Sequence, residues 1–325
     1  MEFKEEPLSR VHSMTEGGIL AAATVVMAMV GIYVPIIGML AILLWPLPVI
    51  VLVVRHGVRW GVMAVVVASL ITAMIVEPAT ALRLAIAFGP VGIMLGLGYR
   101  LQWSGVKIVV ACMAVSMLAK IAGLMLVFLL TGIEPFGNQF TMMEESFAQT
   151  ADMYRAMGVN ETQIAVIRQN FIENMAIVKL LLPLIVMLMG LLDTFLNYIV
   201  GGKILKRLGE SVPVFPAFTE WRLPSAFLFA YAFSIIGLYW GKTREIEMLF
   251  QISMNVNMAC TIAGIVEGVS LYRYAVRYHN WSSIVSGIVL VLIFFGGILL
   301  NILALVGLLD TYFDYRARYF KKKTA

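Results

Sequence analysis

Apolar residues in this chain fall in long blocks and do not alternate with polar ones. The blocks lie at about 15–33, 36–54, 57–76, 80–99, 105–131, 177–200, 224–241, 247–272 and 283–309. At 1.5 Å of rise per residue, each is long enough for an α-helix across a hydrocarbon layer about 30 Å thick, which takes roughly 20 apolar residues. Backbone N–H and C=O groups in such a layer must be bonded within the chain, which favours helices over open strands. The pattern therefore predicts an all-α, polytopic transmembrane helical bundle. Nine blocks form an odd number, and Gly296-Gly297 inside the last admits either one long tilted helix or a re-entrant hairpin. Parity stays open at this stage.

Two polar stretches interrupt the blocks. Residues 132–176 carry Glu134, Glu144, Glu145, Asp152, Glu161 and Glu173 against Arg155 and Arg168. Phe147, Ala151 and Tyr154, then Ile164, Ile167, Phe171 and Met175, recur at helical spacing. Asn160 with Gln163 three residues later has the form of an N-cap and its capping-box partner. Two short amphipathic helices are expected there, as a cover over one mouth of the bundle or as a spacer. Residues 201–223 hold a basic turn and then Val212-Pro213-Val214-Phe215-Pro216-Ala217-Phe218, where two prolines enforce an extended path. Phe215 and Phe218 are candidate contacts for a partner protein, with packing beneath the bundle as the alternative. The chain so divides into a leader (1–14), membrane blocks up to 200 with the 132–176 insertion, a connector (201–223), further membrane blocks (224–309) and a basic tail (310–325).

Composition agrees with lipid as the solvent: 61% of residues are hydrophobic and 13% charged, and mean hydropathy is +0.91, against about 45–50% and about 25% in soluble domains. The net charge of +5 does not signal nucleic acid, because the basic residues cluster in short loops between blocks. With the N-terminus in the cytoplasm, Arg55 and Arg59, Arg100 and Lys107, Lys203, Lys206 and Arg207, and Arg273 and Arg277 all fall on the cytoplasmic side. Nine crossings would leave Arg316, Arg318 and Lys321–Lys323 outside, against the same rule. The first block follows a mixed-charge leader and precedes more blocks, so it is expected to be retained and not cleaved as a signal peptide. A multi-pass protein of the bacterial inner membrane is expected.

Ionisable residues within the blocks are the candidate chemistry, since a charge at membrane depth costs about 2.5–3.5 kcal/mol on insertion scales. Lys120, deep in the fifth block, can hold a small anionic ligand or pair with Glu77 or another carboxylate; Arg83 lies within reach of the same region. Asp193 and Asn197 share a helical face, and Glu267 and Asn301 are further expected buried polar points, with interhelical hydrogen bonding as the plainer role. Gly17/Ala21 and Gly18/Ala22 are small pairs at four-residue spacing that permit close helix contact. No enzyme signature stands out. Gly237-x-x-x-Gly241-Lys242-Thr243 is one residue short of a phosphate loop and follows an apolar block instead of a strand. The three histidines are far apart, so no metal and no cofactor is expected.

Several stretches carry a resemblance. Thr15-Glu16-Gly17-Gly18-Ile19-Leu20-Ala21-Ala22, Tyr33-Val34-Pro35-Ile36-Ile37-Gly38, Pro46-Leu47-Pro48, Arg55-His56-Gly57, Val212-Pro213-Val214-Phe215-Pro216, Arg222-Leu223-Pro224, Gly307-Leu308-Leu309-Asp310 and Asp314-Tyr315-Arg316 together resemble the YybS-like family of uncharacterised bacterial membrane proteins. The first six spans of that family are similar to the S components of energy-coupling factor transporters. The resemblance implies a six-helix S-component-like core at about 15–200 plus two or three C-terminal transmembrane helices. It also implies a small-molecule pocket and a first helix whose Gly17, Gly18, Ala21 and Ala22 dock a transmembrane coupling subunit that works with ATPases. The insertion at 132–176 and the extra C-terminal spans depart from an S component. A structural or regulatory scaffold of the cell envelope is the alternative.

Overall fold

A computed structural model describes residues 7–132, 134 and 136–319. The leader residues 1–6 and the tail lysines Lys321–Lys323 lie outside the described residues. The described chain is all-α and falls into two compact units, one of Met1–Ile172 with Ile185–Phe215, the other of Glu173–Leu184 with Pro216–Ala325.

In the first unit, α1 (Pro7–Tyr33) ends where Val34-Pro35 bars further helix. The second apolar block is broken into α2 (Ile37–Leu43) and α3 (Leu47–His56) by the Leu44-Trp45-Pro46 turn. In α3 every residue from Leu47 to Val53 is buried, as expected of a helix that is apolar all round and sits at the centre of its bundle. Next come α4 (Val58–Ile75), α5 (Pro78–Arg100) and α6 (Gly105–Thr131). Proline at the first position of α5 and Ser104 capping α6 fix these starts, while left-handed Gly132 closes α6.

The polar insertion forms two helices, α7 (Gly137–Ala156) and α8 (Glu161–Leu180). The Phe147 and Phe171 rings stack at 4.4 Å between them. Asn160 caps α8 by accepting from the backbone N–H of Thr162 at 3.1 Å. The following helix, α9 (Leu182–Arg207), starts and ends later than the apolar block at 177–200. The first residues of that block belong to α8, and the polar-ended segment Gly201–Arg207 continues as helix because basic residues suit a helix C-terminus.

The second unit holds α10 (Ala226–Thr243), α11 (Glu247–Tyr278), α12 (Ser283–Phe295), α13 (Gly297–Phe313) and α14 (Tyr315–Tyr319). The glycines of the loop-like Gly237–Thr243 motif serve packing: a Cβ on Gly241 would lie 2.7 Å from the Phe250 backbone nitrogen, and one on Gly237 would strike Ser253. Between α11 and α13 the same device recurs, Gly264, Gly268 and Gly307 meeting backbone to backbone. Asn255 of α11 fills the break between α8 and α9. Its Oδ1 accepts from Leu184 N–H at 3.0 Å and its Nδ2 donates to Leu180 C=O at 2.8 Å. Those two groups would bond each other in an unbroken helix.

The last apolar block is not one straight helix. It bends by 105° at Gly296, whose extended ψ ends α12. Both ends of the bent pair return to the C-terminal half of α11: Tyr272 donates to Ser286 C=O at 2.9 Å, and Arg316 binds Glu267 at 2.6 Å. Such a bend makes the pair either a broken span or a re-entrant segment. Among the described residues, seven helical segments are long and apolar enough to cross a membrane, α2 and α3 counting as one. α10, with 18 residues and a length of about 27 Å, is not one of the seven, and the bent α12–α13 pair makes an eighth if it is one span.

Candidate functional site

The most polar point in the first unit joins α6 and α9. Gly190 lies where α9 packs on α6, the position of a Cβ there being in ordinary contact with Ser116 Oγ at 3.4 Å. Ser116 and Lys120 share one face of α6 at i, i+4, and Asp193 and Asn197 share one face of α9. Lys120 Nζ lies 2.5 Å from Asp193 Oδ2 and donates to Ser116 Oγ at 2.6 Å, while the Ser116 hydroxyl donates to the Asp193 carboxylate at 3.1 Å. Asp193, Thr194, Ser116 and Asn197 are wholly buried, and the Lys120 side chain is 15% exposed. The ammonium also faces the Phe88 ring of α5 at 5.3 Å. Counted from the Gly105 end of α6 and the Arg207 end of α9, Lys120 and Asp193 stand about 22 Å and 21 Å along their helices. They share one depth, near the middle of a bilayer-sized bundle.

Asn197 extends the cluster to the α2–α3 break, where its Nδ2 donates to Leu43 C=O at 2.7 Å. Two residues on, Trp45 is buried against Ala28 and Leu84, with Phe88 packed on the same group. Trp45 Nε1 and Asn197 Oδ1 are buried without a hydrogen-bond partner. A buried orphan donor and a buried orphan acceptor cost about 1–3 kcal/mol each.

A second cluster ties α1 to the end of α3. Ser13 Oγ lies 2.9 Å from His56 Nδ1, His56 Nε2 lies 2.7 Å from Glu16 Oε2, and Arg55 bonds Glu16. The order resembles a serine–histidine–acid relay. Ser13 sits inside α1, where the local N–H groups bond along the helix. It pins two helices together.

A third cluster closes the second unit. Arg316 Nη2 contacts Glu267 at 2.6 Å, its Nε contacts Asp310 at 3.0 Å, and its Nη1 donates to Thr219 C=O at 2.7 Å. Glu267 also accepts from Leu223 N–H at 3.1 Å. At the surface of the same region, the hydrogen bond from Arg222 holds the Asp314 carboxyl below the usual carboxylate range.

With these sites described, likeness to known proteins can be placed. A family described as "Predicted membrane protein (DUF2232)" matches residues 22–311. The chain belongs to that family. The "Uncharacterized protein YybS" of Bacillus subtilis (strain 168) is 23% identical to it over 309 residues, covering 95% of this chain and 99% of the relative. No solved structure matches.

In this DUF2232 chain the expected site residues fare differently. The carboxylate beside Lys120 is Asp193, and Glu77 accepts instead from Thr80 at 3.2 Å. The reason is distance along α5: Phe88 marks the level of Lys120, eleven residues or about 16 Å beyond Glu77. Arg83 is exposed. The four small residues of α1 split by helical phase. Gly17 and Ala21 face inward, against Trp60 and Leu52, while Gly18 and Ala22 stay on the outer face. Phe215 packs under the bundle in edge-on contact with Phe195 and Tyr198, at 5.9 Å and 5.6 Å, which corrects its reading as a free partner contact. Phe218 is exposed, edge-on to Trp221. Asn301 was expected to be buried and is exposed, because it lies on the face of α13 opposite α11. Ser116 and Trp45 had no reading from sequence, and Arg316 was read only as a basic residue of the tail. The one signal for Ser116 was its four-residue spacing from Lys120 in an apolar block.

The α7–α8 pair encloses a separate groove of about 440 Å³ lined by Phe147, Phe171, Arg155 and Arg168 among others. Among the described residues, no group of three or more His, Cys, Asp or Glu is placed to hold a metal ion.

Proposed function

We propose that this integral membrane protein is a non-enzymatic subunit that binds a small polar molecule at mid-membrane depth and serves its transport. The Lys120–Asp193–Ser116 cluster carries this reading, with orphan Asn197 Oδ1 one turn along α9 and orphan Trp45 Nε1 in the group that includes Phe88, the ring facing Lys120. Ionisable residues at membrane depth are functional candidates by default, and transporter sites lie near the midplane. The pairing changes the expected ligand class. Asp193 cancels the charge of Lys120, so a singly charged anion would leave a buried carboxylate unpaired. A guest of zero net charge, offering one acceptor and one donor, fits better. The outward Gly18 and Ala22 support docking of a transmembrane coupling subunit, with ATPases supplying energy. Placing the N-terminus in the cytoplasm of a bacterial inner-membrane protein puts the basic loops after α3, α5, α9 and α11 on that side when α10 crosses, and a re-entrant α12–α13 pair keeps Arg316 and Arg318 there too.

Trp45→Phe keeps an aromatic ring and removes the N–H, which makes it the informative variant. Native mass spectrometry of the full chain in mild detergent should show a small-molecule adduct in wild type that falls about tenfold or more in Trp45→Phe. Folded wild type without an adduct in any lipid or metabolite mixture would end this reading. Exposed Val214 and Phe218 on the connector favour a second one, a scaffold for an envelope partner, for which Phe218→Ala rather than Trp45→Phe would abolish the phenotype.

A further inference from the structure

The helix α13 has two unlike faces. Leu303, Ala304, Gly307 and Leu308 meet Gly264 and Gly268 of α11. The opposite face exposes Ile298, Asn301, Ile302 and Leu305, spaced at i, i+3, i+4 and i+7, which is the seam spacing of paired helices. Gly297, one turn before Asn301, has open space around the position of a Cβ, so another backbone can come close. Acyl chains would satisfy a seam of isoleucine and leucine alone. They offer nothing to an exposed carboxamide, which has only the Gly297 carbonyl at 3.0 Å to bond within its own helix. A buried-seam asparagine is also the residue that fixes register and partner number in paired helices.

We infer that the α13 seam pairs with the same seam of a second copy of this chain, Asn301 meeting Asn301 across a two-fold axis. Self-pairing is the occupant the chemistry selects. A carboxamide is donor and acceptor at once and so complements itself, and the seam carries no charge that would call for an oppositely charged partner. The inference does not depend on the ligand site proposed above.

The test uses the full chain, fluorescently labelled and reconstituted in liposomes, with dimer fraction read by single-molecule photobleaching across protein-to-lipid ratios. Wild type should dimerise. Asn301→Leu should weaken the dimer roughly three- to fifteen-fold, Asn301→Gln should recover part of the loss, and Ile302→Trp should block pairing sterically. In parallel, Ile298→Cys should cross-link to itself, whereas the parent chain, whose Cys112 and Cys260 are buried, should not. A monomer at every ratio, a dimer indifferent to both Asn301→Leu and Ile302→Trp, or a seam occupied by a different protein would each overturn the inference.

Discussion

Removing Arg316 strands two carboxylates, Glu267 and Asp310, in a site where both side chains are at most 2% exposed. Breaking a buried ion pair from one side costs about 3–5 kcal/mol, because the remaining charge keeps its desolvation cost and loses its partner. Arg316→Ala should therefore lower the stability of the second unit by that amount, read as the midpoint shift of unfolding in detergent. A shift equivalent to under about 1 kcal/mol, the range of surface ion pairs, would mean the cluster is solvated after all. The exposed Arg222–Asp314 pair beside it belongs to that weaker range. At the residue scale, then, proximity in sequence says little: Arg316 reads as one more basic residue of a tail until Glu267, forty-nine positions away, is seen against it.

Among the elements, the break between α8 and α9 is the place where one side chain stands in for helix geometry. Pro183 interrupts the backbone ladder near the start of α9, and Asn255 satisfies the groups that the break exposes. Asn255→Leu leaves Leu180 C=O and Leu184 N–H without it, and each orphan costs about 1–3 kcal/mol. Hydrogen exchange should then rise at Leu184 and its neighbours while the Lys120–Asp193 region stays protected. Uniform protection in the variant would show that the two helices re-form a continuous ladder. The bent α12–α13 pair is the other element whose form depends on a break, because Gly296 frees the chain to turn back and Asn301 is thereby exposed.

For the whole molecule, the proposed topology, in which α10 crosses and the bent α12–α13 pair does not, predicts both chain ends on one side of the membrane. A reporter fused after residue 325 and one inserted in the 201–215 connector should show the same side-specific labelling, and one in the α7–α8 turn near Gly158 the opposite. Opposite labelling of the tail and the connector would make α12–α13 a true crossing. The basic residues argue the same way, since Arg316 and Arg318 then obey the rule that the earlier loops obey.

What the sequence determined was what depends on the length and composition of local runs: the all-α membrane class and the two helices of the insertion with the Asn160 cap. Burial in lipid leaves the backbone no other satisfied form, so these follow from one-dimensional pattern. Pairings across helices were decided only by tertiary structure. Lys120 had several carboxylates within imaginable reach, and helix depth and phase selected Asp193. The same two quantities turned Gly18 and Ala22 outward, folded Phe215 inward and put Asn301 on a free face. The bend of the last block was also decided there, because Gly296-Gly297 permits a bend without requiring it. Contacts with α11 at Tyr272 and Glu267 hold both ends of the bent pair at one level.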